Sequence, residues 1–485
     1  MTVTTIRKDF DMRSYWVATF TILGVLLLLH STSAQRNTSP LEALVASVDG
    51  EVEGKLFRNS IAAVEITDVR SGKTLYSRNA NLLLRPASNT KLFTSAAVLL
   101  GIDDSGTFST DLALTGSATL VCAAGGDPLF RLKDIQKLTE IALGAGISHI
   151  DTLLLDAAEF DTTVFGEGWM WDDESDPFLP ALSPFCLERN IFTLNIKQDT
   201  QVHTELDVSS IPLIPNLEWS WSRSPKPLTV IKEPRSNRFQ LHGTLGRGER
   251  FSKSYPVWQP QSLFADAFAR SLREAGLADS TLSIMYGSAP DERVELGTVV
   301  RPLDEVLAAM NKESNNLCAE MALRLLGLRS AVGTASARAG IAAMEKLFTD
   351  RGLVPGGLSL VDGSGISFYN LATATSITRV LRMMAAHPLF ERYRASLSVA
   401  SVDGTLRNRL KDDKMGKFFQ GKTGTLRGVS ALSGYVQAPG GRLLTVVLLM
   451  QNFSGDGALY RRAQDRIVRH CIEYSASPAA STQPR

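Results

Sequence analysis

Ser88 and Lys91 stand three residues apart in the stretch 85–101, RPASNTKLFTSAAVLLG. Leu92, Phe93, Ala96, Ala97, Leu99 and Leu100 recur at the spacing of a largely buried helix that opens at Ser88 and stops at Gly101. Residues three apart lie about one helical turn from each other, so the hydroxyl and the amine share a face. A serine hydroxyl is a weak nucleophile until a base takes its proton, and a lysine amine is no base while it is charged. Burial at a helix start, with another cation nearby, would lower the lysine pKa and favour negative charge on the serine oxygen. Taken alone, the pair reads equally as a capping serine beside a surface lysine.

Two later segments carry chemistry that fits the first. Ser314-Asn315-Asn316 lies on a loop that opens a helix at Leu317, and Lys422-Thr423-Gly424-Thr425 lies on an edge strand. A hydroxyl, a carboxamide and a second ammonium are what an acyl-transfer site needs besides its nucleophile and base. Other patterns fail on context. Residues 416–423, GKFFQGKT, match a phosphate-binding loop by letters, but bulky KFFQ fills the interior and a turn and strand follow where a helix is required. Gly363-Ser364-Gly365 is preceded by Asp362, so it is no nucleophile elbow and reads as a tight turn. The six histidines are scattered without metal-ligand spacing, and Cys318 beside the Asn316 loop reads as packing. No metal and no cofactor is expected.

Elements on both sides of a long middle segment must position these groups. A first helix (41–48) and a hairpin (62–67 and 74–77, turning at Arg70-Ser71-Gly72) lead to Ser88. From 301 onwards the pattern is helical (303–310, 317–326, 331–348, 372–386). Strands at 418–422, 430–436 and 443–450 follow, then an amphipathic closing helix at 458–474. Between them, 107–114, 119–123, 150–155, 239–243 and 282–286 read as strands, with helices at 132–143 and 261–275. Trp- and Pro-rich stretches at 166–184 and 212–227 suit irregular loops and edge strands. The expected architecture is therefore α+β. One discontinuous catalytic domain comprises 36–101 and 301–474, a β-rich insertion of one or two domains occupies 102–300, and 475–485 forms a disordered tail.

Ser-x-x-Lys, Ser-x-Asn and Lys-Thr-Gly, in that order, are the three signatures of penicillin-binding proteins and serine β-lactamases. With GGDP at 125–128, DGSG at 362–365, VDGTLRNR at 402–409 and 223 residues between Lys91 and Ser314, the chain from about 41 to 474 resembles one family in particular. This is the D-alanyl-D-alanine carboxypeptidase/endopeptidase family of low-molecular-weight class C penicillin-binding proteins. The resemblance implies a β-lactamase/transpeptidase-like catalytic domain and a serine-type carboxypeptidase acting on peptidoglycan stem peptides, with β-lactam antibiotics as covalent inhibitors. It implies Ser88 as nucleophile, Lys91 as base and Ser314 as proton relay to the leaving D-alanine. Asn316, Lys422, Thr423 and Thr425 would bind substrate, and the backbone N–H groups of Ser88 and Thr425 would hold the oxyanion. Lys422 would also keep Lys91 neutral. Asn315 stands where aspartate is frequent, with its side chain expected to point away from substrate. A β-lactamase of the same fold, and a penicilloyl-binding sensor or cell-wall-binding module without turnover, are the alternatives.

Residues 1–34 read as an export signal: Arg7, Lys8 and Arg13 precede an apolar run of 15 residues (15–29), and Ala34 suits cleavage. That run is short of the roughly 20 residues of a spanning helix, so no integral span is expected after cleavage. Met12 is a second possible start. Export places the protein in the periplasm or on the cell-wall side of the membrane. The formal net charge of +1 gives no reason to invoke nucleic acid. Cys122, Cys186, Cys318 and Cys471 allow three disulfide pairings, or remain free.

Overall fold

The computed structural model describes residues 38–102, 106–198, 204–208, 218–246, 248–353, 356–411 and 415–477. The export signal expected at 1–34 lies outside the described residues. The two ends of the chain build one antiparallel sheet of six strands, in the order 398–399, 419–426, 429–436, 444–451, 61–68, 74–78. Strands 429–436 and 444–451 are buried along their whole length, because helices cover both faces. Alternation then sorts the side chains. Val446, Leu448 and Met450 meet the Pro40–Val52 and Ala458–Ala476 helices, while Val447 and Leu449 face the core formed by the Thr90–Gly101, Asn316–Arg329 and Ala374–Ala385 helices.

The segment between contributes none of these strands. Its own mixed five-stranded sheet has the order 283–286, 152–156, 119–123, 107–115, 294–302, with the Leu132–Gly144 and Pro260–Glu274 helices against it. Two three-stranded sheets follow from 191–198, 204–208 and 250–256, and from 218–227, 229–232 and 238–244. The Trp- and Pro-rich run does end as an edge strand, Glu218–Pro227, paired parallel with Arg238–Thr244. The 166–184 stretch is loop with one short turn at Trp171–Asp173.

Several boundaries differ from the sequence reading, each for a local reason. The helix begins at Leu303 as its spacing suggests, but the sequence reading misses the strand before it: 294–302 pairs with 107–115 out to Pro302 opposite Thr107, so residues 301 and 302 belong to the middle sheet. Arg301 is held there by Asp127 (3.2 Å), Asp134 (2.8 Å) and Glu305 (3.0 Å), which explains the aspartate of the GGDP motif. The helix expected from 331 starts at Ala337, where the Ser336 hydroxyl accepts the Ala339 N–H. The closing helix runs to Ala476: Ser475 is buried, accepting the Ala438 N–H and donating to the Arg442 carbonyl. Residues 478–485 of the expected tail lie outside the described residues. All four cysteines are buried and free.

Candidate active site

Ser88 does not sit in the first turn of the α-helix, as its spacing suggests. Ala87–Asn89 form a 3-10 turn, and the α-helix begins at Thr90. Ala87 has φ +48°, a left-handed conformation that costs energy for an alanine. The turn leaves Ser88 partly exposed at the rim, while Lys91 is fully buried.

Lys91 Nζ has three neighbours: Asn316 Oδ1 at 2.6 Å, the Ser364 carbonyl oxygen at 2.6 Å and Ser88 Oγ at 3.0 Å. A neutral amine has two N–H donors and one lone pair. The two carbonyl oxygens can only accept, so they take both donors, and the lone pair is left for the Ser88 hydroxyl proton. Burial lowers the Lys91 pKa to about 7 from the ordinary 10.5, against the opposing pull of Asp362 and Glu320.

Ser364 was missed as a site residue because it contributes only backbone. Its DGSG loop passes so close to the nucleophile turn that a Cβ on Gly365 (φ +83°) would lie 1.9 Å from the Ala87 carbonyl oxygen. Asp362 holds the loop, accepting from Gly365 N (2.7 Å), Ser367 N (2.7 Å), Asn370 Nδ2 (2.7 Å) and Trp169 Nε1 (3.0 Å). The indole comes from the middle segment and is braced by Phe165, itself stacked on Trp258.

On the other side, Lys422 Nζ donates to Ser314 Oγ at 2.8 Å and to the Thr423 carbonyl at 2.9 Å. Ser314 also has positive φ, +61°. Lys422 is fully buried, and among the described residues it has no carboxylate partner. Its pKa is pushed well below the usual lysine value, by burial first and by Lys91 second. For both amines burial is the largest cause of the lowered pKa. Asn315 caps the next helix, its Oδ1 accepting the Cys318 N–H at 2.9 Å, so its side chain is engaged there.

The strand carrying Lys422 is covered at 398–399 only opposite Gln420 and Gly421, which leaves its remainder open to a cleft. Gly424 lets that strand approach the nucleophile turn, since a Cβ there would meet the Pro86 carbonyl oxygen at 2.9 Å. Thr423 donates to Thr405 Oγ1 (2.8 Å), which gives the VDGTLRNR motif a place at the site. Ser88, Ser314, Asn316, Thr423 and Thr425 line a cleft of about 610 Å³. Its far wall comes from the middle segment, where Met170, Asp172, Asp173, Asp176 and Phe178 lie. The Phe178 carbonyl accepts from Asn316 Nδ2 at 2.6 Å. Residues 416–423 form a short turn and then a strand that enters a hairpin, a geometry unsuited to cradling phosphates. Among the described residues no group of three or more His, Cys, Asp or Glu is placed to hold a metal ion.

Comparison with known proteins gives the chain a family and a fold. The sequence model of the D-Ala-D-Ala carboxypeptidase 3 (S13) family matches residues 44–471. A D-alanyl-D-alanine carboxypeptidase of Actinomadura sp. (strain R39) is 27% identical over 500 residues, covering 95% of this chain and 89% of the relative. The D-alanyl-D-alanine carboxypeptidase DacB of Haemophilus influenzae is 24% identical over 404 residues, 80% of this chain and 84% of the relative. The crystal structure of penicillin binding protein 4 (dacB) from Haemophilus influenzae superposes with a TM-score of 0.77 at 23% identity, covering 88% of this chain and 99% of that one. The two therefore share a fold.

Proposed function

Since the chain belongs to the D-Ala-D-Ala carboxypeptidase 3 (S13) family, we propose that it is a serine D-Ala-D-Ala carboxypeptidase whose nucleophile is Ser88. The observation that carries the reading is the placement of the Lys91 amine, 3.0 Å from Ser88 Oγ and 2.6 Å from two carbonyl oxygens, which in its neutral form leaves the lone pair for Ser88. Lys91 takes the hydroxyl proton as Ser88 Oγ attacks the carbonyl carbon between two D-alanines. Negative charge on the carbonyl oxygen is held by the backbone N–H groups of Ser88 and Thr425. Ser314, hydrogen-bonded to Lys422, passes its hydroxyl proton to the departing D-alanine amine, which cannot leave as an anion, and the proton that Lys91 took from Ser88 is returned to Ser314, so Lys91 is neutral again. Water, with Lys91 again as base, then frees the acyl group from Ser88. The substrate's terminal carboxylate supplies the counter-charge that buried Lys422 lacks, with the Thr423 and Thr425 hydroxyls beside it. Asn316 holds the peptide backbone on the opposite wall. The same attack opens a β-lactam ring, so penicillins acylate Ser88. A crosslinked peptide presents the same bond, which adds D,D-endopeptidase activity.

The same reading divides the chain into a catalytic domain formed by both ends and an inserted region that shapes the cleft. The shared six-stranded sheet supports this division. Export follows from the basic and apolar leader at 1–34, and peptidoglycan is then the accessible substrate.

The test is labelling with fluorescent penicillin followed by peptide mapping. Label on Ser88, its loss in Ser88→Ala with the fold retained, and release of D-alanine from a D-Ala-D-Ala peptide are expected. Label on Ser364 or any other serine refutes the assignment. Rapid penicillin turnover without peptide hydrolysis would mark a β-lactamase, and stable acylation without peptide turnover a sensor.

A further inference from the structure

The mechanism leaves one buried ionisable group unused, and it lies directly behind the base. Glu320 is on the Asn316–Arg329 helix, one turn beyond Asn316, and is fully buried. Its Oε1 accepts the backbone N–H groups of Gly363 (3.0 Å) and Ser364 (2.9 Å), and its Oε2 faces Arg324 Nη1 at 3.3 Å. Arg324, with only 3% of its side chain exposed, reaches on to Asp161 of the middle segment at 3.4 Å. Ser364 therefore gives its N–H to Glu320 and its carbonyl to Lys91. Its own hydroxyl is buried without a hydrogen-bond partner, so its backbone is the working part.

We propose that Glu320, backed by Arg324, is a positioning residue that sets where the Ser364 carbonyl stands and so aims the Lys91 lone pair at Ser88. The inference rests on Lys91 acting as the base. A stretch with two glycines could shift by tenths of an ångström at little cost, yet a 2.6 Å contact tolerates little shift before the amine turns. Two charge-assisted bonds from one carboxylate oxygen remove that freedom. Asp362 secures the other side of the same peptide through Gly365 N. The titratable groups facing Lys91 come from three elements: Glu320 and the Cys318 thiol, which burial keeps neutral, on the helix, Asp362 on the loop and Lys422 on the edge strand. Burial raises the Glu320 pKa to about 7, so its charge, present above that pH, favours protonated Lys91 there, and removing it makes Lys91 more acidic.

The test compares Glu320→Gln with Glu320→Ala in the full-length chain, measuring the second-order rate of penicillin acylation from pH 5 to 9 with urea unfolding as a control. Glutamine keeps an acceptor for the two N–H groups but loses the charge. Its acid limb is expected to move to lower pH by less than about one unit, since the parent carboxylate is itself partly protonated there, with the plateau within about tenfold of the parent. Glu320→Ala frees the loop, and acylation should fall about a hundredfold or more at every pH. Partial recovery of rate from alanine to glutamine, together with a displaced limb, supports positioning. A limb fixed at the parent's midpoint in Glu320→Gln overturns the proposal, as does acylation within about threefold of the parent by folded Glu320→Ala. If Glu320→Ala does not fold, the glutamine limb alone decides. Loss of labelling on Ser88 in the parent itself would instead refute the nucleophile assignment.

Discussion

Replacing Lys91 by methionine tests whether burial, and not a neighbouring charge, makes the base. At an ordinary pKa of 10.5 a lysine is neutral at pH 7 in about three molecules in ten thousand. At about 7 it is neutral in about half, a gain of roughly a thousandfold in competent enzyme. Holding it discharged costs the fold about 4–5 kcal/mol at pH 7, relative to an unfolded chain in which the lysine is charged. Methionine removes that cost but strips donors from Asn316 Oδ1 and the Ser364 carbonyl, at about 1–3 kcal/mol each. The two effects nearly cancel. The variant should unfold in urea within about 2 kcal/mol of the parent at pH 7, while penicillin labelling disappears. The folded pKa is depressed, so between pH 7 and 10.5 the unfolded chain binds more protons than the folded one. The parent should therefore gain stability over the methionine variant as pH rises through that window. In the parent, acylation should climb tenfold per pH unit below about 7 and level off above it. A profile flat from pH 5 to 9, or one rising only above 9, would refute the argument.

Lys422→Ala should slow acylation by carboxylate-bearing substrates roughly 10–100-fold more than by esters lacking the carboxylate; equal losses in stopped-flow labelling would confine Lys422 to Ser314. Arg301→Met removes the arginine from Asp127, whose side chain is 3% exposed, and should cost about 3–5 kcal/mol in urea unfolding, while Asp134 keeps Lys137 at 2.9 Å. An unchanged midpoint would show that the two carboxylates are satisfied without it. Trp169→Phe keeps the ring but removes the donor to Asp362, so labelling should slow severalfold and stability fall by about 1–3 kcal/mol. Parent-like labelling would uncouple the middle segment from the base.

Side-chain chemistry at short or strand-borne spacings was legible in the sequence. Ser88 and Lys91 lie within one turn, Ser314 and Asn316 on one loop, and Lys422 on a strand whose neighbours read as an antiparallel set. The structure gathers Ser88, Lys91 and Asn316 into one hydrogen-bonded group and Lys422 and Ser314 into another. Backbone roles left no such trace. The Ser364 and Phe178 carbonyls act through atoms that any residue carries, and Trp169 meets Asp362 across 193 positions. The strand at 191–198 escaped notice although 204–208 pairs with it locally; its other partner, 250–256, lies beyond a whole further sheet. The strand at 294–302 escaped notice because its partner, 107–115, lies far back in the chain.

That pairing of the strand at 107–115 with the strand at 294–302 also bears on how the chain can fold. Lys91 and Ser314 are separated by 223 residues along the backbone, but Thr107 lies opposite Pro302. Once those strands zip together, the path from base to relay serine is sixteen residues on one side and twelve on the other. By the logarithmic dependence of loop closure on length, this shortcut removes about 2 kcal/mol of the chain entropy opposing assembly of the site. The long middle segment, when folded first, acts as a short clasp. Strands 61–68 and 444–451 still cannot meet until residue 451 has been made, so a chain cut short of the second strand has a clasp but no site to close.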